Sequence, residues 1–410
     1  MVEEEIVKIR RKLTLLINVA LLSSGVIAAQ QSAENLSSGL TAPAATWSQY
    51  GFLANHSSFN QTENTLTRAN VSSLTWKWAG EVGAPIASAP VVGQGIAYVA
   101  AGGTIFAFQA SDGTPVWSHL SCSGVGTVEA ALGSQALLVG DGGGDLAAYD
   151  PLTGNQIWCS DERGAITSAP AVDTDTVYIT NGASVVAVDQ LTGTERWRFT
   201  PSDFSPVTNT PAVFRKRVYV TGGNSVFALA RTTGEQLWRT DLEPPQYNIS
   251  APSIAGGAVY VGGSNLYALR GSDGSLLWTQ GMVGVNVSMP AIAYGKVFVN
   301  SQDPLFGLWA FRADNGAFLW RNRMPEESLA TVAVANGVVF DVAEPGGLAG
   351  AGGLFMFNSD TGAFLGSIGD PDGHPFNHDF RSQPAVVGGA VYIPTADYFG
   401  SNRVDVFRLP

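Results

Sequence analysis

Ala148-Tyr149-Asp150-Pro151-Leu152-Thr153-Gly154, with Trp158 four residues after the glycine, is the stretch that decides the fold. The same Gly-then-Trp spacing recurs at Gly113/Trp117, Gly193/Trp197, Gly234/Trp238, Gly274/Trp278 and Gly316/Trp320, while Gly362/Gly366 keeps the turn and loses the Trp. From Trp117 to Trp320 the indoles stand 41, 39, 41, 40 and 42 residues apart. A period near 40 with several short strands per unit is the pattern of a radial repeat.

Within one unit, residues 168–172, 177–180 and 185–189 read as short strands rich in β-branched residues, and Leu191-Thr192-Gly193 reads as a turn. Glu195-Arg196-Trp197 then opens a fourth strand. Gly suits the turn because it takes a positive φ without penalty, and an Asp or Asn ahead of it bonds its own backbone. The repeated Trp is read as filler for the seam between neighbouring units. Eight inner-strand starts, at residues 88, 128, 168, 209, 250, 288, 329 and 382, set the number of units. The last unit ends without an outer strand, and Trp78 lies 39 residues before Trp117, so residues 74–78 are expected to supply it. The expected fold is all-β: an eight-bladed β-propeller of four-stranded antiparallel blades, its ring closed by an N-terminal strand.

Residues 1–29 read as a signal peptide. Lys8, Arg10, Arg11 and Lys12 precede an uncharged run from 13 to 29 that ends in small residues. The run is short for a membrane span and is broken by Ser23, Ser24 and Gly25, so no span is expected after cleavage. Residues 30–45 are a polar, flexible lead-in, and 46–410 are the propeller domain. No Cys stands near the cleavage region, so no lipid anchor is expected; the location expected is periplasmic or secreted. A formal charge of −12, without an evident basic cluster, argues against nucleic acid as partner. Two cysteines, Cys122 and Cys159, suit an exported chain, and the sequence leaves open whether they pair.

Trp47-Ser48-Gln49-Tyr50-Gly51, Asn70-Val71-Ser72-Ser73-Leu74 and Trp76-Lys77-Trp78, followed by the Asp-x-x-Thr-Gly-x-x-x-Trp repeats, resemble the pyrroloquinoline-quinone-like (quinoprotein-dehydrogenase-like) repeat superfamily. The resemblance covers nearly everything from Trp47 to Pro410. It implies either a quinone-dependent dehydrogenase or a non-catalytic scaffold. In the dehydrogenases it implies quinone over the central channel, Ca²⁺ held by Glu and Asn, and an Asp base. The matching loop here, residues 140–145, has no Glu. Gly223-Asn224 lacks the aromatic, Asp-bearing insertion expected after it, and no adjacent Cys pair occurs. No catalytic or metal residue carries over, and no cofactor is expected. The favoured reading is a monomeric binding or assembly scaffold with a protein partner. The rivals are a pyrroloquinoline-quinone-dependent alcohol or sugar dehydrogenase with Ca²⁺, and a secreted polysaccharide-binding module.

If strands run A to D outward, the A–B and C–D turns share one face and the D–A and B–C connections share the other. The second set is long, which is where a rigid scaffold carries binding sites. Phe376, His378, Arg381 and Tyr398 are the contacts expected there. The run from Asp370 to Asp379 gathers His374 and His378 among carboxylates, but Gly373 and Pro375 make it read as a turn-rich loop rather than a metal site.

Overall fold

The computed structural model describes residues 46–410 except 85, 87–88, 163, 204, 244–248, 282–287, 302–306, 324–327, 329, 344–352, 370–382 and 397–401. The expected signal peptide and lead-in lie outside the described residues. Strands form eight sheets, and Val71–Ser73 makes one 3-10 turn. Blades 1 to 7 lay strands A to D outward in chain order; in blade 3 they are Ala171–Asp173, Thr176–Thr180, Val185–Asp189 and Glu195–Phe199. Inner strands touch in succession around the ring, and Val91–Gly93 of blade 1 meets Ala385–Val387 of blade 8. The architecture is the expected eight-bladed propeller.

Blade 8 contributes three strands of its own, and Thr75–Glu81 is the fourth. It pairs antiparallel with Asn402–Arg408, from Thr75↔Arg408 to Glu81↔Arg403. The pairing removes an edge that would otherwise expose a row of unpaired backbone groups.

Except in blade 2, whose inner strand starts at Thr127, the inner strands begin later than the sequence reading places them, and in six blades a Pro stands just before the strand. Pro170 has no N–H to give to a ladder, so strand A of blade 3 starts at Ala171. Ser168 fills the gap: its Oγ accepts the Thr180 N–H at 3.0 Å. Ser250 and Ser288 take the N–H of Gly262 and Asn300 in the same way, at 2.9 Å.

The seams explain the Gly-Trp repeat. A Cβ added to Gly113, Gly154, Gly193, Gly234, Gly274, Gly316 or Gly362 would stand 2.5–2.7 Å from a ring carbon of Trp78, Trp117, Trp158, Trp197, Trp238, Trp278 or Trp320 respectively. Each indole therefore lies flat on the next blade's turn, and those glycines hold φ between 71° and 77°. Five indoles also donate Nε1–H across the seam, Trp117 to Pro151 O, Trp158 to Gln190 O, Trp197 to Arg231 O, Trp238 to Gly271 O and Trp278 to Ala313 O, at 2.9–3.0 Å. The carbonyls of Pro151, Gly271 and Ala313 accept a second bond, at 3.0–3.1 Å, from the hydroxyls of Tyr98, Tyr219 and Tyr260 on strand B of the preceding blade.

Candidate functional site

Inner strands of a propeller present one row of backbone groups to the central channel, and those groups need partners. Residues 47–60 supply them. Trp47 O accepts from Val92 N, Ser48 O from Leu132 N, Gln49 Oε1 from Val172 N and Ala54 O from Val213 N. Asn55 O, Ser57 O and Ser58 O take the N–H of Ile254, Ile292 and Val334, and Asn60 Nδ2 donates to Val386 O at 2.8 Å. One short segment thus touches strand A of all eight blades at the A–B end. Tyr50 fills the hub, packed against Ala89, Ala169, Ala251 and Met289 of the motifs that precede the inner strands, with its hydroxyl 3.1 Å from Thr331 Oγ1. Phe52, His56 and Ser58 hold φ of 77°, 53° and 54°. Such conformations persist only where the surroundings over-determine them.

His56 is fully buried in this plug. Its Nδ1–H donates to Pro252 O at 3.2 Å, and Nε2 has no partner. Burial pushes the imidazole down to about 4, against a small opposing pull from the Pro252 bond, so it is neutral at physiological pH.

Toward the opposite end of the channel lies a second buried polar group. Asp341 Oδ1 accepts from Ser328 Oγ at 2.7 Å and from Asn300 Nδ2 at 2.9 Å, which joins strand B of blade 6 to strand B of blade 7. Asp341 Oδ2 and Asn300 Oδ1 have no partner. Burial drives Asp341 up to about 7, partly offset by the Ser328 and Asn300 bonds. This carboxyl has no exposed surface, and its bonds latch two blades together.

The glycine-rich loop at 140–145 is spent on its own backbone. Asp141 Oδ1 accepts from Gly143 N and Asp145 N, and Oδ2 from Ser123 N, at 3.0–3.1 Å. Burial alone would raise Asp141, but the Ser123 and Asp145 bonds outweigh it and hold the carboxyl below its usual range. Beside it Cys122 and Cys159 are joined in a disulfide with Cα atoms 6.4 Å apart. Cys122, Asp145 and Cys159 lie close enough to share an ion, but two sulfurs bonded to each other leave no thiolate for one. The 140–145 loop carries no Glu at the place where the resemblance implies a Ca²⁺ ligand. Phe376, His378, Arg381, Tyr398 and the run from Asp370 to Asp379 lie outside the described residues.

A family model described as the outer membrane protein assembly factor BamB matches residues 28–184, 142–264 and 222–400. The chain belongs to this family of PQQ-like repeat propellers. A curated relative, the serine/threonine-protein kinase AfsK of Streptomyces coelicolor, is 33% identical over 234 residues. That match takes in 53% of this chain but spans only 29% of the kinase. Among solved structures, quinohemoprotein alcohol dehydrogenase from Comamonas testosteroni superposes with a TM-score of 0.73 at 16% identity, over 92% of this chain and 82% of that one. BamB from Moraxella catarrhalis gives 0.62 at 15% identity, over 82% of this chain and 99% of that one. At these identities the likeness to the two solved structures is one of fold alone.

Proposed function

We propose that the protein is an exported, non-catalytic scaffold, acting in the periplasm or outside the cell, that docks a protein partner on the face carrying the D–A and B–C connections. The observation that carries the reading is the plug: residues 47–60 occupy the A–B end of the channel, so a partner reaching the hub does so from the other end. The family's description as an assembly factor supports the same reading. Among the described residues no helix is long and apolar enough to cross a membrane. The spent 140–145 loop weighs against the dehydrogenase alternative, since its Asp141 carboxylate already accepts from three backbone N–H groups, those of Gly143, Asp145 and Ser123.

The test has two arms. Replacing Phe376, Arg381 and Tyr398 together with Ala is expected to weaken a purified partner at least tenfold, while substitutions in the C–D turns leave its affinity unchanged. The opposite pattern places docking on the other face. In the second arm, pyrroloquinoline quinone and Ca²⁺ are added to the purified protein. No dye-linked oxidation of alcohols or sugars is expected, and turnover would replace the scaffold reading with the dehydrogenase one.

A further inference from the structure

The seam between blades 3 and 4 departs from its sisters. Tyr98, Tyr219, Tyr260 and Tyr392 occupy one position on strand B of their blades, and each donates its hydroxyl to a turn carbonyl of the next blade. Tyr178 occupies the same position and is equally buried, yet its hydroxyl has no hydrogen-bond partner. Thr176 and Arg231 lie beside it without meeting hydrogen-bond geometry, and burial raises its hydroxyl above the ordinary tyrosine range. A cavity of about 540 Å³ opens there on the A–B/C–D face, lined by Tyr178 and Trp197, by Thr176 and Asp175, and by the cations Arg196, Arg215, Lys216 and Arg231.

The charges around this cavity do not cancel. Arg196 is held by Asp175 at 3.0 Å and Asp189 at 2.7 Å, and Arg231 by Asp173 at 2.9 Å. Arg215 and Lys216 have no carboxylate partner among the described residues; the Arg215 guanidinium rests on the Phe214 ring, 5.1 Å from its centroid. The expectation that this acidic chain lacks a basic cluster is thus corrected locally: Arg215-Lys216-Arg217 are three consecutive cations, and the fold adds Arg196 and Arg231 to them.

Arg215 and Lys216 form the A–B turn of blade 4. At the same two positions blade 5 has Gly256-Gly257 and blade 8 has Gly388-Gly389, all at positive φ. Arg215 takes a positive φ of 56° there, and Gln94, Thr174, Tyr294 and Asn336 likewise take positive φ at the first position of the same turn in their own blades.

We propose that this cavity is a binding site for a small ligand carrying a phosphate group, which Arg215 and Lys216 neutralise. An arginine fork suits a tetrahedral dianion, and a cavity of this size takes the phosphate with a small body attached. The site lies on the face opposite the proposed partner, so its failure and the scaffold's failure are separate results.

The probes are inorganic phosphate and phenyl phosphate, titrated calorimetrically into the full chain at constant ionic strength, with acetate as control. Saturable binding of both phosphates, at least tenfold tighter than acetate and weakening as salt rises, is expected. Arg215→Gly/Lys216→Gly installs the blade 5 turn, so the fold is retained while phosphate binding falls at least tenfold. Acetate binding as well as phosphate, undiminished binding in the Gly-Gly variant, or no saturable binding of either phosphate would each overturn the proposal.

Discussion

At the rim, Thr75–Glu81 pairs with Asn402–Arg408 and Trp78 leans on Gly113 as six other indoles lean on theirs. At the hub, residues 47–60 reach all eight inner strands through contacts that no blade repeats. The rim is redundant: one seam resembles another, and each blade needs only its neighbours. The hub is singular. A propeller whose blades are interchangeable along the rim still depends on one unrepeated segment to satisfy its inner edge.

The largest effect should come from removing both closures. Deleting residues 46–78 takes away the fourth strand of blade 8 and the plug together. Loss of a single cooperative transition is expected, or a loss of stability well beyond that of any point substitution. Deleting 46–60 alone tests the hub. If the second truncation unfolds in urea as the intact chain does, the inner backbone bonds are dispensable and the comparison collapses to the rim.

A single seam should cost less. Trp238 is buried against Gly274 and bonds Gly271 O at 3.0 Å, so Trp238→Ala is expected to lose about 3–5 kcal/mol. Tyr219 still reaches the same carbonyl at 3.1 Å and limits the damage to packing. A denaturant midpoint within about 1 kcal/mol of the parent would show that the indoles decorate the seams rather than hold them.

The same contrast sorts what was legible in the sequence. The Gly-Trp repeat is legible because an indole lying on a positive-φ turn constrains both partners to one residue type each. The closing strand is legible because Trp78 keeps the repeat's register. Strand A is misplaced by the sequence reading: Ser168 and Pro170 look like part of a strand, while Ser168 in fact stands in for a missing ladder bond. The plug is not legible at all. Its partners run from Val92 to Val386 and are largely backbone atoms, which leave no mark on residue identity. Arg215-Lys216-Arg217 was open to view, but net charge averages such a run away, and only the fold brings Arg196 and Arg231 beside it.

The smallest effect separates hub from blades by pH. His56 has a folded value of about 4 against 6.5 unfolded, so the neutral form is favoured in the plug. Its contribution is complete above pH 6.5 and is lost as pH falls through 4, and integrates to at most about 3 kcal/mol. Asp341 runs the other way. Its folded value of about 7 against 3.8 favours the protonated acid, so its contribution is complete below pH 3.8 and is lost as pH rises through 7. Between pH 4 and 7 the two slopes oppose and partly cancel in the parent protein. Asp341→Asn should therefore show stability that rises with pH across that window, because only the His56 slope remains. His56→Gln should show the reverse, a fall with pH carried by Asp341. Urea midpoints at half-unit steps of pH measure both. Profiles for the two variants that run parallel to the parent would mean that neither group titrates with folding, and that the plug and the blade latch are held by neutral contacts alone.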